Sequence, residues 1–155
     1  MAPAKGGACG QCHLYADKED EPMGLSVEDR LDIYDLFARY CQYVDNGRAA
    51  EWVNLFAEDG CFEIIGQMTL QGARQLGGMP AMLAERSGGK WRHQITDIMI
   101  DASPSDDAAH VGASGLVTDW NDGGRAIMFA NYQGALSKID GRWRIARLTA
   151  AMLTD

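Results

Sequence analysis

The second half of the chain is divided by two hairpin signals, and this division limits the possible folds more than any other feature. Asn121-Asp122-Gly123-Gly124 and Asp140-Gly141 are turn sequences that tolerate positive φ, and they separate the runs Ala108–Trp120, Arg125–Ile139 and Arg142–Leu153. Long runs joined by tight turns pair with their neighbours as antiparallel strands. A fourth strand candidate is Trp91–Asp101, rich in β-branched residues and set between Ser87-Gly88-Gly89 and Ser103-Pro104-Ser105.

The first half reads as mostly helical. Ser26-Val27-Glu28-Asp29 is a helix start, with serine as N-cap and acids near the exposed amides of the first turn. Apolar residues recur at Leu31, Ile33, Leu36, Phe37, Tyr40, Cys41 and Val44, and Asn46-Gly47 breaks the pattern after Asp45. A shorter helix, Ala49–Ala57, precedes two short strands, Cys61–Ile65 and Met68–Gln71, around Gly66-Gln67. Ala73–Arg86 is a further helix, and Gly77, Gly78 and Pro80 predict a break near Met79. Helices first and long strands last is the α+β arrangement: a curved antiparallel sheet of about six strands wrapped by about three helices. Such a sheet encloses a cone-shaped cavity. The small residues Ala109, Gly112, Ala113, Ser114 and Gly115 either leave room in it or mark tight packing.

At 155 residues the expected division is a single domain over residues 25–155, preceded by an arm over residues 1–24. A net charge of −8 argues against nucleic acid or an anionic membrane as partner. No apolar run approaches the ~18 residues of a spanning helix. No apolar export segment is visible near Met1, so the expected compartment is the cytoplasm, with the four cysteines reduced. Cys9-Gly10-Gln11-Cys12-His13 matches the pattern of covalent haem attachment, and the same residues supply three ligands of a zinc site. Haem needs an oxidising compartment and an apolar pocket, and zinc needs about four ligands. A mobile or surface-docked tail is therefore the favoured reading, with neither metal nor cofactor.

Strand alternation places Trp91, His93, Ile95, Asp97 and Met99 on one face, and the apolar members mark it as covered. A histidine and an aspartate on a covered face need hydrogen-bond partners or a task. By the same parity Arg147 stands in line with Trp143 and Ile145. It either pairs with Asp45, Asp97 or Glu63 to hold the fold, or it faces a cavity and meets developing negative charge. Asp45 is awkward, because the C-terminal end of a helix dipole disfavours a carboxylate.

Several motifs together carry a family resemblance over Leu25–Leu153. They are the helix Asp32–Tyr40 running into Tyr43-Val44-Asp45, Leu55-Phe56-Ala57-Glu58-Asp59-Gly60-Cys61-Phe62, Arg92-His93-x-x-Thr96, and Asp140-Gly141-Arg142-Trp143-Arg144-Ile145-Ala146-Arg147. In order and spacing they resemble the SnoaL-like branch of the nuclear-transport-factor-2-like superfamily. That branch includes scytalone dehydratase, a bile-acid dehydratase, hexachlorocyclohexane dehydrochlorinase and a lyase releasing formaldehyde from a lignin-derived diarylpropane. The resemblance implies that Asp45 pairs with His93 as general base and that Arg147 stabilises an oxyanion. Tyr40 stands where the dehydrochlorinase has a lysine, so halide departure is disfavoured. Asp97 stands where an asparagine is usual, adding a second acid.

The implied function is a cofactor-independent lyase for a hydrophobic, aromatic small molecule, acting by dehydration or by formaldehyde release. Tyr40, Tyr43 or Tyr132 would protonate a leaving hydroxyl. Trp52, Phe56, Trp91, Met128 and Phe129 would wall the pocket. The alternatives are a binding protein or the structural small subunit of a ring-hydroxylating oxygenase. Relatives also imply a homo-oligomer, a trimer before a dimer, joined through a sheet face carrying Leu136, Leu148 and Met152.

Overall fold

The structure is a computed structural model and describes residues 24–153. Cys9, Cys12 and His13 of the N-terminal arm lie outside the described residues.

Helix α1 spans Val27–Asp45, and Ser26 caps it by accepting the Asp29 N–H at 3.0 Å. Its buried stripe is Ile33, Leu36, Phe37, Tyr40, Cys41 and Val44, while Leu31 falls outside it and is exposed. Helix α2 is only Ala49–Val53, because strand β1 begins at Phe56 and runs to Ile64. The Ile145 N–H donates to the Leu55 carbonyl at 2.8 Å, so pairing with the last strand draws these residues out of the expected helix. Strand β2 is Met68–Gln71. Helices α3, Gly72–Leu76, and α4, Gly78–Ser87, are separated at Gly77, two residues before the expected break. The described helices thus form three blocks.

Strands β3 (Trp91–Ala102), β4 (Ala108–Asp119), β5 (Arg125–Ile139) and β6 (Arg142–Met152) complete a six-stranded open sheet in the order β2-β1-β6-β5-β4-β3. The β5–β6 turn has Asp140 at φ 49° and Gly141 at φ 73°, the left-handed pair that a two-residue hairpin requires. The sheet is mixed, not purely antiparallel, because β1 pairs with β6 in parallel. No hairpin joins these strands, so the turn geometry that forces antiparallel pairing elsewhere does not act on them.

Helix α1 packs against both β3 and β6, lying across the sheet's inner face. Leu136 and Leu148 are fully buried there, which corrects their expected place on an exposed docking face. Each such side chain contributes roughly 1.5–3 kcal/mol by leaving water. Asp29 accepts from Lys138 Nζ and Trp143 Nε1, each at 2.8 Å, tying the start of α1 to β5 and β6. Among the described residues no helix is long and apolar enough to cross a membrane.

Bulges interrupt β3, which carries His93 and Asp97, and β6, which carries Arg147. In β3, Thr96 pairs with Ser114 but Met99 with Gly112, so one residue is extra, and Asp97 takes φ 53°. In β6, Arg147 pairs with Ala135 but Ile145 with Leu136, leaving Ala146 extra. Each bulge reverses the alternation beyond it.

Candidate active site

Asp45 ends α1 beside β3, the sheet's edge strand. His93 Nδ1–H donates to Asp45 Oδ1 at 2.5 Å, and the His93 backbone N–H donates to Oδ2 at 2.7 Å. The carboxylate therefore fills a vacancy on the sheet edge while it grips the imidazole. Both side chains are nearly dry, at 11% exposure for His93 and 6% for Asp45. Two charge-assisted bonds offset the unfavourable helix end. With Nδ1 committed to the acid, Nε2 is the nitrogen left to act as a base.

His93 lines a chamber of about 50 Å³ with Tyr40, Val44, Phe62, Ile64, Met79, Leu83, Val117, Met128, Tyr132 and Met152. His93, Tyr40 and Tyr132 are its polar members. Burial raises the Tyr40 phenol well above its ordinary pKa and raises Tyr132 as well, so both stay protonated. A larger groove of about 600 Å³ lies elsewhere, lined by charged residues such as Asp32, Asp35, Arg39 and Arg142, and holds neither member of the pair. Of the pair, His93 is the member that reaches the small chamber.

The structure brings together His93, Asp45, Tyr40, Met128 and Tyr132. Trp52 and Phe56 stand one layer behind, with ring centroids 5.3 and 6.3 Å from that of Tyr40, and they brace it without lining the chamber. Trp91 pairs with Asp119 at the start of β3 and is likewise not part of the lining.

Other expectations are corrected. Arg147 is 55% exposed on the outer sheet face and pairs with Glu63, because the Ala146 bulge turned it away from Trp143 and Ile145. Asp97 is exposed at the β3 bulge, and Met99 beyond it is 67% exposed, while Ile98 and Ile100 take the inner side. Tyr43 faces the charged groove, where Arg39 donates to its hydroxyl at 3.0 Å and Arg48 stacks on its ring. Phe129 is partly exposed and outside the lining.

Sequence reasoning missed Val44, Phe62, Ile64, Met79, Leu83, Val117 and Met152 as chamber walls. Helix and strand periodicity marked most of them as core, but could not separate core from cavity. Among the described residues, no group of three or more histidine, cysteine, aspartate or glutamate side chains is placed to hold a metal.

The sequence profile of the SnoaL-like domain matches residues 25–149. No curated protein matches the sequence. Among solved structures, an NTF2-like protein with a cystatin-like fold from Novosphingobium aromaticivorans is similar, with TM-score 0.74, 22% identity, and coverage of 83% of this chain and 84% of that one. A candidate scytalone dehydratase from the same organism superposes with TM-score 0.69 at 19% identity, over 83% of this chain and 86% of its own. A type 2 hexachlorocyclohexane dehydrochlorinase gives TM-score 0.67 at 18% identity, covering 82% and 86%.

Proposed function

We infer that this chain, which belongs to the SnoaL-like domain family, is a cofactor-independent lyase that removes water from an uncharged, hydrophobic substrate. The observation that carries the reading is the nearly dry His93–Asp45 pair at the wall of an apolar chamber. Relatives in fold named as a dehydratase and a dehydrochlorinase support an elimination.

In this mechanism His93 Nε2 takes a proton from substrate carbon, and the C–H electrons become the new C=C bond as the C–O bond breaks. The departing hydroxyl takes the Tyr40 phenolic proton and leaves as water. The imidazolium, stabilised by Asp45, then returns its proton to the phenolate and restores both groups. Tyr43 faces away and is set aside as donor, while Tyr132 also lines the chamber and is the alternative to Tyr40. Among the described residues no lysine or arginine lines the chamber, so a leaving group that departs neutral is favoured over halide. Release of formaldehyde from a diarylpropane fits less well, because two aryl rings would need more displacement of the chamber lining than one.

The test is turnover of uncharged hydroxylated ring compounds, followed by mass spectrometry for loss of water. Substitution His93→Ala is expected to lower turnover at least ~100-fold with the fold intact. Undiminished turnover rejects His93 as base. The tightness of the chamber favours one second reading, a structural subunit without activity of its own. Absence of turnover across the compound series, in protein that is folded, selects it. We also propose a homotrimer, with a dimer as alternative, joined through the outer sheet face. Light scattering on the purified protein decides that.

A further inference from the structure

We propose that the chamber is built to take a single ring, between one fixed wall made by Tyr132 seated on Gly115 and one yielding wall made by methionines. The proposal rests on the lyase reading for its substrate and adds the size class of that substrate.

The fixed wall follows from a close approach. Gly115 sits in the regular part of the sheet, opposite Ile95 and Ala130, and its φ is not positive. Its backbone therefore does not require glycine. A β-carbon there would lie 2.8 Å from Tyr132 Cδ2 and closer still to Cε2, so it would overlap a whole edge of the ring. The absent side chain is the space the ring occupies. With β4 backbone directly beneath it, the ring cannot retreat further, and a larger residue at this position would drive it into the chamber.

The opposite character belongs to Met79 on α4, Met128 on β5 and Met152 at the end of β6. Unbranched thioether side chains change rotamer at little cost and fit irregular guests. Met128 and Met152 are only partly buried, so they can swing outward without moving backbone.

Volumes set the limit. The chamber of about 50 Å³ holds one or two waters. A cavity of about 150 Å³ holds benzene. The shortfall, roughly 100 Å³, is on the scale of one long side chain moving aside. A second ring would need a further displacement of similar size, and with Tyr132 backed by β4 the methionine side alone would have to supply both.

Calorimetric binding of two inert probes, phenol and 4-(2-phenylethyl)phenol, tests this on the full chain. Phenol is expected to bind at least about tenfold more tightly than its diaryl homologue. Gly115→Ala is expected to weaken phenol by at least about tenfold while far-UV circular dichroism is unchanged. The double variant Gly115→Ala/Tyr132→Ala is expected to recover it, because the displaced ring is gone. Met128→Ala/Met152→Ala is expected to admit the diaryl probe. Equal binding of both probes to the unmodified protein, no binding of phenol, or a folded Gly115→Ala protein with unchanged affinity overturns the proposal. If the binding pattern holds while turnover is indifferent to His93→Ala, the size limit stands and the lyase reading falls.

Discussion

At the scale of the residue, Asp45 is the side chain whose surroundings do most to explain its presence. A carboxylate at the C-terminal end of α1 opposes the helix dipole, yet here it accepts both the imidazole N–H and the backbone N–H of His93. These two bonds lead to different outcomes for two substitutions. Asp45→Asn keeps an acceptor for one N–H but presents an amide to the other, so the imidazole tautomer is wrong. Turnover is expected to fall by about 10²–10⁴ with little change in melting temperature. Asp45→Ala leaves both donors without a partner in a nearly dry place, and is expected to cost about 1–3 kcal/mol of stability as well. Parallel measurement of turnover and urea unfolding separates the two. Arg147 is the counter-case. It is 55% exposed and, among the described residues, pairs with Glu63, so Arg147→Ala is expected to change stability by less than about 1 kcal/mol and turnover by no more than a few-fold. A hundredfold loss of turnover would return Arg147 to the chemistry.

At the scale of the element, the edge strand β3 and helix α1 depend on one another. The Tyr34 hydroxyl and Arg30 Nη1 donate to the Ile98 and Ile100 carbonyls, each at 3.3 Å, so α1 side chains cover edge groups that would otherwise invite another strand. The start of the helix is fastened by Asp29, whose pKa is lowered to about 2, chiefly by the hydrogen bond from Lys138. A carboxyl whose folded pKa lies below its unfolded value binds fewer protons in the folded state. Its stabilisation is therefore complete above about pH 4 and is lost as pH falls towards 2. After allowance for solvent screening the contribution is about 1 kcal/mol. Asp29→Asn is expected to lower the denaturation midpoint at pH 7 and to flatten its decline between pH 4 and pH 2, which denaturant titration at a series of pH values will show. The bulges belong to this scale too. Alternation read along β3 correctly put His93 beside Trp91 and Ile95, then failed at Asp97. In β6 it failed between Ile145 and Arg147. A bulge is one extra residue relative to a neighbouring strand, so it is invisible in either strand alone.

At the scale of the whole molecule, the core that surrounds the chamber also seals two cysteines. Cys41 on α1 is buried, and burial pushes its thiol up to about 12, while Cys61 is buried separately on β1. In a protein carrying Cys9→Ser and Cys12→Ser, both remaining thiols are expected to react with a disulfide reagent only as fast as the whole domain opens. Rapid labelling at pH 8, read by absorbance, would show a core looser than the structure. What could be read from the amino-acid order was whatever is written locally: the Ser26 cap, the apolar stripe of α1, the Asp140-Gly141 turn, the long strands and the inward face of His93. Family resemblance added Asp45. Tertiary structure alone decided that β1 lies parallel to β6, that Arg147 and Asp97 point outward, and that Tyr132 lies over Gly115 to leave so small a chamber. The physical reason is one of range. Turns, caps and periodicity arise between residues a few positions apart, whereas register, bulges and cavity volume arise only when strands distant in the chain settle against each other.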